Sequence, residues 1–149
     1  MADTRVPDTP QSEVERARAA LWREDWASQA LGMTLLEVTS GRARLSMTVR
    51  RDMLNGFALC HGGILTTFGD TAMAFASNSH NERAVATNLA IEFLASGREG
   101  DTLIAEACEV SRTRRTGLYD TTITNQAGTV IALLRGRVQR VPGTPVAGD

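Results

Sequence analysis

One carboxylate, Asp70, lies seven residues beyond the tripeptide His61-Gly62-Gly63, with Asn55 and Cys60 just upstream. Each type has a chemistry. A carboxylate can take a proton from water or attack a carbonyl itself. Two glycines opening a helix leave its first N–H groups uncovered, at the end where about half a positive charge accumulates. Such amides can hold a carbonyl oxygen as it becomes an oxyanion, typically worth about 3–4 kcal/mol. Each feature also has a plain structural use: the glycines as a tight turn, Asp70 as a hydrogen-bond acceptor, His61 as a ligand for nearby backbone. Cys60 beside His61 could suggest a thiol nucleophile. Neighbours in a loop rarely aim their side chains at each other, so the carboxylate is the better candidate.

The segment after Gly62 must be a helix if these groups are to act. Ile64, Leu65, Phe68, Ala72 and Phe75 repeat at the helical period and form one apolar side, predicting a helix from about Gly63 to Ser79. Gly63, Thr66, Asp70, Ala74 and Ser77 fall on the other side, a small and polar face suited to close contact with another surface. On that helix Asp70 stands about 10–12 Å along the axis from the glycine amides. A reacting carbonyl must lie within about 3 Å of both its oxyanion donor and its base or nucleophile. One helix cannot meet that condition. An antiparallel second copy could bring its own Asp70 to the first copy's glycines, giving two equal sites per twofold dimer.

The remaining elements follow from punctuation and alternation. Residues 1–10, with Pro7 and Pro10, are expected to be a flexible arm. Ser12 and Glu15 have capping-box spacing, and Val14, Ala17, Leu21, Trp22 and Trp26 predict a helix that Gly32 closes. Met33–Val38 and Arg42–Val49 predict a hairpin, the second strand turning Ala43, Leu45, Met47 and Val49 one way. Strands are expected over Val85–Ala95, Thr102–Thr113, Gly117–Asn125 and Thr129–Val141, and residues 142–149 as a disordered tail. The order helix, two strands, helix, four strands describes an α+β domain over 11–141, its helix packed on one face of a curved antiparallel sheet.

Composition narrows the function classes. The 149 residues suit one domain, and a net charge of −1 offers no basic excess for nucleic-acid binding. No apolar run approaches a membrane span, and the start of the chain has no signal-peptide core, so a cytoplasmic protein is expected. All 16 basic residues are arginine, which excludes lysine Schiff-base chemistry. Two cysteines, Cys60 and Cys108, are too few and too distant for a zinc cluster or a disulfide framework. No metal is expected.

The segment MLNGFALCHGGILTTFGDTAMAFASNS resembles the active-site segment of the phenylacetic-acid-degradation thioesterases, the PaaI group of the hotdog superfamily. The likeness continues through AIEFLASGREGDTL, RTRRTGLYDTTITNQAG and VIALLRGRVQRV, covering about residues 30–141. It implies a hotdog fold, a sheet wrapped around the central helix, and hydrolysis of an acyl-CoA thioester to acid and CoA. It implies Asp70 as general base or nucleophile and Gly62, with Gly63, as oxyanion donors. Asn55 would position the water or carbonyl, and His61 would orient the loop or polarise the carbonyl. It also implies a homotetramer built from dimers.

Coenzyme A enters as part of the substrate and no cofactor is expected. Its phosphates call for basic groups, and Arg112, Arg114 and Arg115 cluster at one turn, with Arg135, Arg137 and Arg140 on the last strand. Phe57, Leu59, Met73, Phe75 and Phe93 are candidates for the acyl pocket. The resemblance points to phenylacetyl-CoA or a ring-hydroxylated relative. Alternatives are a fatty acyl-CoA thioesterase and a module that binds acyl-CoA without turnover. A hotdog dehydratase would need a different histidine and carboxylate arrangement, which this sequence lacks.

Overall fold

A computed structural model describes residues 8–146. The elements are helix α1 (Gln11–Arg23), helix α2 (Trp26–Ala30), strands β1 (Thr34–Thr39) and β2 (Arg42–Thr48), a 3-10 turn (Arg51–Met53), helix α3 (Gly62–Asn78), and strands β3 (Ala84–Phe93), β4 (Thr102–Arg112), β5 (Thr116–Thr124) and β6 (Val130–Arg140). The six strands form one antiparallel sheet in the order β1-β2-β4-β5-β6-β3. The sheet curves around α3 in the hotdog layout. Residues 1–7 of the expected arm and 147–149 of the expected tail lie outside the described residues.

Alternation places the core. Ala43, Leu45, Met47 and Val49 of the β2 segment, Leu103, Ala105 and Ala107 of β4, and Tyr119, Thr121 and Ile123 of β5 all turn inward and are buried. They meet Leu65, Phe68, Ala72, Phe75 and Ala76 of α3. Close approach needs small residues at two points. A Cβ on Gly69 of α3 would collide with Leu134 of β6, and one on Gly136 of β6 would collide with Met73 of α3. Together these contacts lay the middle of α3 against β6, with Leu89 of β3 beside the Met73 contact.

The N-terminal region departs from the single capped helix expected. Ser12 does not cap: α1 starts at Gln11, Pro10 holds the cap position without a side-chain bond, and the Pro10 carbonyl accepts from the N–H groups of Glu13 and Val14. Gln11 instead donates from its amide to Glu15 and to the Val38 carbonyl, tying α1 to β1. The helix then ends at Arg23. Asp25 caps a new one, its carboxylate accepting from the Ser28 N–H at 3.2 Å and the Ser28 hydroxyl at 2.8 Å. An Asp cap satisfies amides that a continuous helix would have bonded to its own carbonyls. Gly32, at φ +69°, closes α2 as expected of the helix end.

α1 and α2 cover one flank of α3, through Trp22 against Phe75 at 6.0 Å between ring centroids and Ser28 against Thr71. The β6 and β3 strands lie under another. Between them runs an open strip of α3 containing Gly63, Thr66, Thr67, Asp70 and Ala74. Ser77, expected on the same strip, is buried.

Candidate active site

The loop before α3 is held by its own side chains. The Asn55 carboxamide oxygen accepts from the N–H groups of Phe57 at 2.9 Å and Leu59 at 3.2 Å, folding residues 55–59 into a tight turn. Ala58 takes φ +58° there, a left-handed conformation uncommon outside glycine, and Phe57 projects outward, 86% exposed. The Cys60 N–H donates to the Gly97 carbonyl and the His61 N–H to the Met53 carbonyl, so the helix start is fixed from both sides.

His61 is the N-cap of α3, and its Nδ1 accepts from the Gly63 N–H at 3.1 Å. Gly63 therefore does not offer the second open donor expected of it; a ring nitrogen that can accept sits within reach and satisfies that amide. The Gly62 N–H has no acceptor among the described residues, which leaves it as the open donor at the positive end of the helix. The ring of Phe93, at the end of β3, lies against it: a Cβ on Gly62 would approach Phe93 Cζ to 3.0 Å. Phe93 is half exposed, as is the neighbouring Leu94.

Asp70 projects from the open strip of α3, half-buried and with no hydrogen-bond partner among the described residues. Burial, and then the negative charge of Asp25, raise its pKa above the ordinary 3.8. At eight residues from Gly62 it is about 12 Å along the axis, so the two groups do not converge within one chain. Cys60 is buried, which pushes its thiol up to about 11 and keeps it protonated. This supports the carboxylate over the thiol as the reactive group.

The other expected residues divide. Met73 and Phe75 belong to the core, whereas Phe57 and Phe93 are exposed near the loop and the helix start. Arg112, Arg114 and Arg115 sit at the β4–β5 turn. The pairings Ala84↔Arg140 and Thr116↔Gln139 put that turn at the C-terminal end of α3, while Phe93↔Ala132 marks the Gly62 end. Arg112 lies between Glu109 and Glu82 at 3.9 and 4.0 Å, while Arg114 and Arg115 are exposed. Arg135 makes a bidentate pair with Asp120 at 2.6 and 2.7 Å. No group of three His, Cys, Asp or Glu among the described residues could hold a metal ion, and no described helix is long and apolar enough to cross a membrane.

Asp25 was missed by sequence reasoning. Its signal was local and readable: an Asp three residues before Ser28 is a common N-cap pattern. Nothing local linked that cap, through Ser28 and Thr71, to the turn that carries Asp70. Phe93 was noted only as one of several aromatics, and its contact with Gly62 depends on how β3 lies over the helix start.

Among the described residues the two edge strands of the sheet, β1 and β3, have no outer partner. Along β3, Val85, Ala86, Thr87, Asn88, Ala90, Glu92 and Phe93 are all exposed, and only Ala84, Leu89 and Ile91 pack against the core. An exposed edge carrying apolar side chains is a template for another strand.

The chain matches the family model described as the thioesterase superfamily over residues 57–132, a span containing His61, Gly62, Gly63, Asp70 and Phe93. It is 42% identical over 125 residues to an Escherichia coli protein named acyl-coenzyme A thioesterase PaaI, covering 84% of this chain and 89% of that protein. The solved structure of the E. coli PaaI protein from the phenylacetic acid degradation operon superposes with a TM-score of 0.88 at 40% identity, covering 89% of this chain and 96% of that one. A Streptococcus mutans structure bound to acetyl CoA superposes with a TM-score of 0.73 at 28% identity, covering 75% and 90%.

Proposed function

The chain belongs to the thioesterase superfamily, and from that premise we propose that it hydrolyses an acyl-CoA thioester to the free acid and CoA. The observation that carries the reading is the pair of unclaimed groups on α3, the Gly62 N–H at its positive end and the unpartnered Asp70 carboxylate on its open strip. In the base route Asp70 takes a proton from water as the oxygen attacks the thioester carbon. The Gly62 N–H holds the carbonyl oxygen as it gains charge, the C–S bond breaks, and the CoA thiolate leaves and is protonated. In the nucleophile route the Asp70 carboxylate attacks the thioester carbon, the C–S bond breaks and the CoA thiolate leaves and is protonated; water then hydrolyses the resulting mixed anhydride, releasing the acid and restoring the Asp70 carboxylate. Both routes need Asp70 ionised. His61 and Gly63 serve by fixing the first turn, and Asn55 by holding the loop that would position the water or the carbonyl.

The site is shared between two copies in this reading. A second chain joined along the open β3 edge, its α3 antiparallel, would bring its Asp70 to the first chain's Gly62, and the reverse. The same placement carries the second copy's β4–β5 turn to about 12 Å beyond that Gly62. Arg114 and Arg115 of that turn, with Arg112 behind them, are then the groups for the CoA phosphates. The assembly is taken as a dimer of such dimers, after the family resemblance. The reaction is placed in the cytoplasm, where unpaired thiols such as Cys60 and Cys108 stay reduced.

The acyl group favoured is an aryl-acetyl one, phenylacetyl or hydroxyphenylacetyl. Its support is the phenylacetic acid degradation operon named for the E. coli structure and the half-exposed Phe93 ring beside the oxyanion donor. Thiol release from a panel of aryl-acetyl and fatty acyl-CoAs, parent against Asp70→Ala, tests the proposal. Turnover highest on aryl-acetyl-CoA and abolished in Asp70→Ala is expected. Fastest turnover on fatty acyl-CoA would reassign the acyl group, and binding without turnover on every substrate would overturn the hydrolase reading.

A further inference from the structure

α2 is a five-residue helix whose cap is better built than that of the much longer α1. The Asp25 carboxylate accepts from both the N–H and the hydroxyl of Ser28, and Ser28, 2% exposed, lies with its oxygen 3.1 Å from Thr71 Oγ1. Thr71 is the residue after Asp70. Ser28 gives its hydroxyl proton to Asp25, and the Thr71 hydroxyl, which also lies 2.9 Å from the Thr67 carbonyl, can donate to Ser28 Oγ, so a chain of hydroxyls links Asp25 through Ser28 to the turn of α3 that carries the reactive carboxylate. We propose that Asp25 is a positioning residue for the reaction: through Ser28 and Thr71 it fixes that turn of α3 and holds a second negative charge beside Asp70.

Two positive features face this pair: Arg83, which lines the same groove as Asp25, Glu24 and Asn78, and, in the proposed dimer, the positive end of the partner's α3 against Asp70. Beneath α3 the strands present Leu45, Ala105, Ile123 and Leu134, all buried and apolar. Glu109 of β4 accepts from Tyr119 of β5 and pairs with His80 beyond the helix's C-terminal end. Cys60 stands at the opposite end. α1 contributes Leu21 and Trp22, and α2 contributes Asp25, whose charge follows burial in raising the pKa of Asp70. A like charge makes the ionised form harder to reach and its lone pairs more basic once formed. A proton acceptor of water gains from that change.

The inference rests on Asp70 as the reacting carboxylate, and its test separates the two claims. Asp25→Asn removes the charge and keeps an oxygen that can accept from the Ser28 N–H, since Asn caps as well as Asp. In protein labelled with 13C at aspartate carboxyls, with the Asp70 signal assigned through Asp70→Asn, the titration midpoint of Asp70 should fall by roughly half a pH unit. The acid limb of kcat/KM should move down with it. Ser28→Ala, which frees the Asp25 carboxylate from its place, should move both in the same direction by less. Superimposable Asp70 titrations in parent and Asp25→Asn would overturn the proposal, even if the variant melted earlier. Full turnover by Asp70→Asn would instead overturn Asp70 as the reacting group, while the NMR midpoint would still report the coupling.

Discussion

The Nδ1 atom of His61 accepts the Gly63 N–H at 3.1 Å, and this one bond divides two adjacent glycine amides into a capped one and an open one. In the proposed reaction His61 would act through Gly62 and the first turn of α3.

The open amide can be removed without breaking the helix. Gly62 is the first helical residue, where proline is well tolerated, and His61 at ψ 134° already has the extended conformation that proline requires before it. Gly62→Pro should therefore fold and lose about 10²–10³ in kcat. Gly62→Ala adds the same Cβ against Phe93 but keeps the N–H, and should lose far less. Steady-state kinetics and thermal melts on the pair check this; equal losses would assign the defect to the crowded Phe93 ring.

His61→Ala removes the cap and should cost about 1 kcal/mol of stability together with much of the activity. His61→Asn supplies a different capping oxygen and should recover most of both. Denaturant unfolding and thioester turnover together read the outcome. Stability without activity in His61→Asn would give the imidazole a direct part in the chemistry.

The raised pKa of Asp70 has a consequence for stability. Its carboxyl holds a proton more tightly folded than unfolded, so its contribution favours folding at low pH. That contribution is lost as pH rises from the ordinary 3.8 through the raised value. At neutral pH Asp70→Asn should melt above the parent while losing catalysis by 10²–10⁴-fold, a scale of about that of a general base. Thermal melts at pH 4 and pH 7 check the sign, the variant's advantage being larger at pH 7.

Glu109 runs the other way. Burial would raise it, but hydrogen bonds from His80 at 2.7 Å and Tyr119 at 2.6 Å, with the charges of His80 and Arg112, hold it below the ordinary 4.5. Its contribution is present above that value and lost as pH falls through the lower folded one. Glu109→Gln should cost about 1–3 kcal/mol at pH 7. The gap to the parent should narrow in acid, as read by urea unfolding at both pH values.

A shared site predicts complementation. Asp70→Ala and Gly62→Pro homodimers should each be inactive, yet mixing them through an unfolding and refolding cycle should restore about one quarter of parental activity. Random re-pairing makes half the dimers mixed, and each mixed dimer holds one intact site. No recovery, with mixed dimers demonstrated by native mass spectrometry, would place Asp70 and Gly62 of the same chain at each site.

Much of the fold could be read from local pattern. The strand segments, the two-residue Ser40-Gly41 hairpin and α3 fall within a few residues of their expected places. Alternation and helical period record which face of each element meets the core, and that relation is written residue by residue along the chain. The Asn55 to Asp70 motif was legible for the same reason, since its groups lie within 16 consecutive residues.

What only the tertiary structure decided are relations between distant segments. The Ser12 cap failed because the Pro10 carbonyl takes the N–H groups of Glu13 and Val14, starting α1 at Gln11, and Gln11 is held by the carbonyl of Val38. Phe93 rests on Gly62 because β3 crosses the sheet to pair with β6, and Asp25 is linked through Ser28 and Thr71 to the turn that carries Asp70 because a broken helix folds back onto α3. The arginine turn lies at the far end of α3 from its own Gly62 because β4 and β5 turn there. Sequence by itself determined that Asp70 stands too far along its helix to serve its own glycines. Packing determined what surrounds it: an open strip, an unpaired strand edge and the charge of Asp25. Periodicity carries no information on such pairings, because they depend on which surfaces of the folded elements are left to meet.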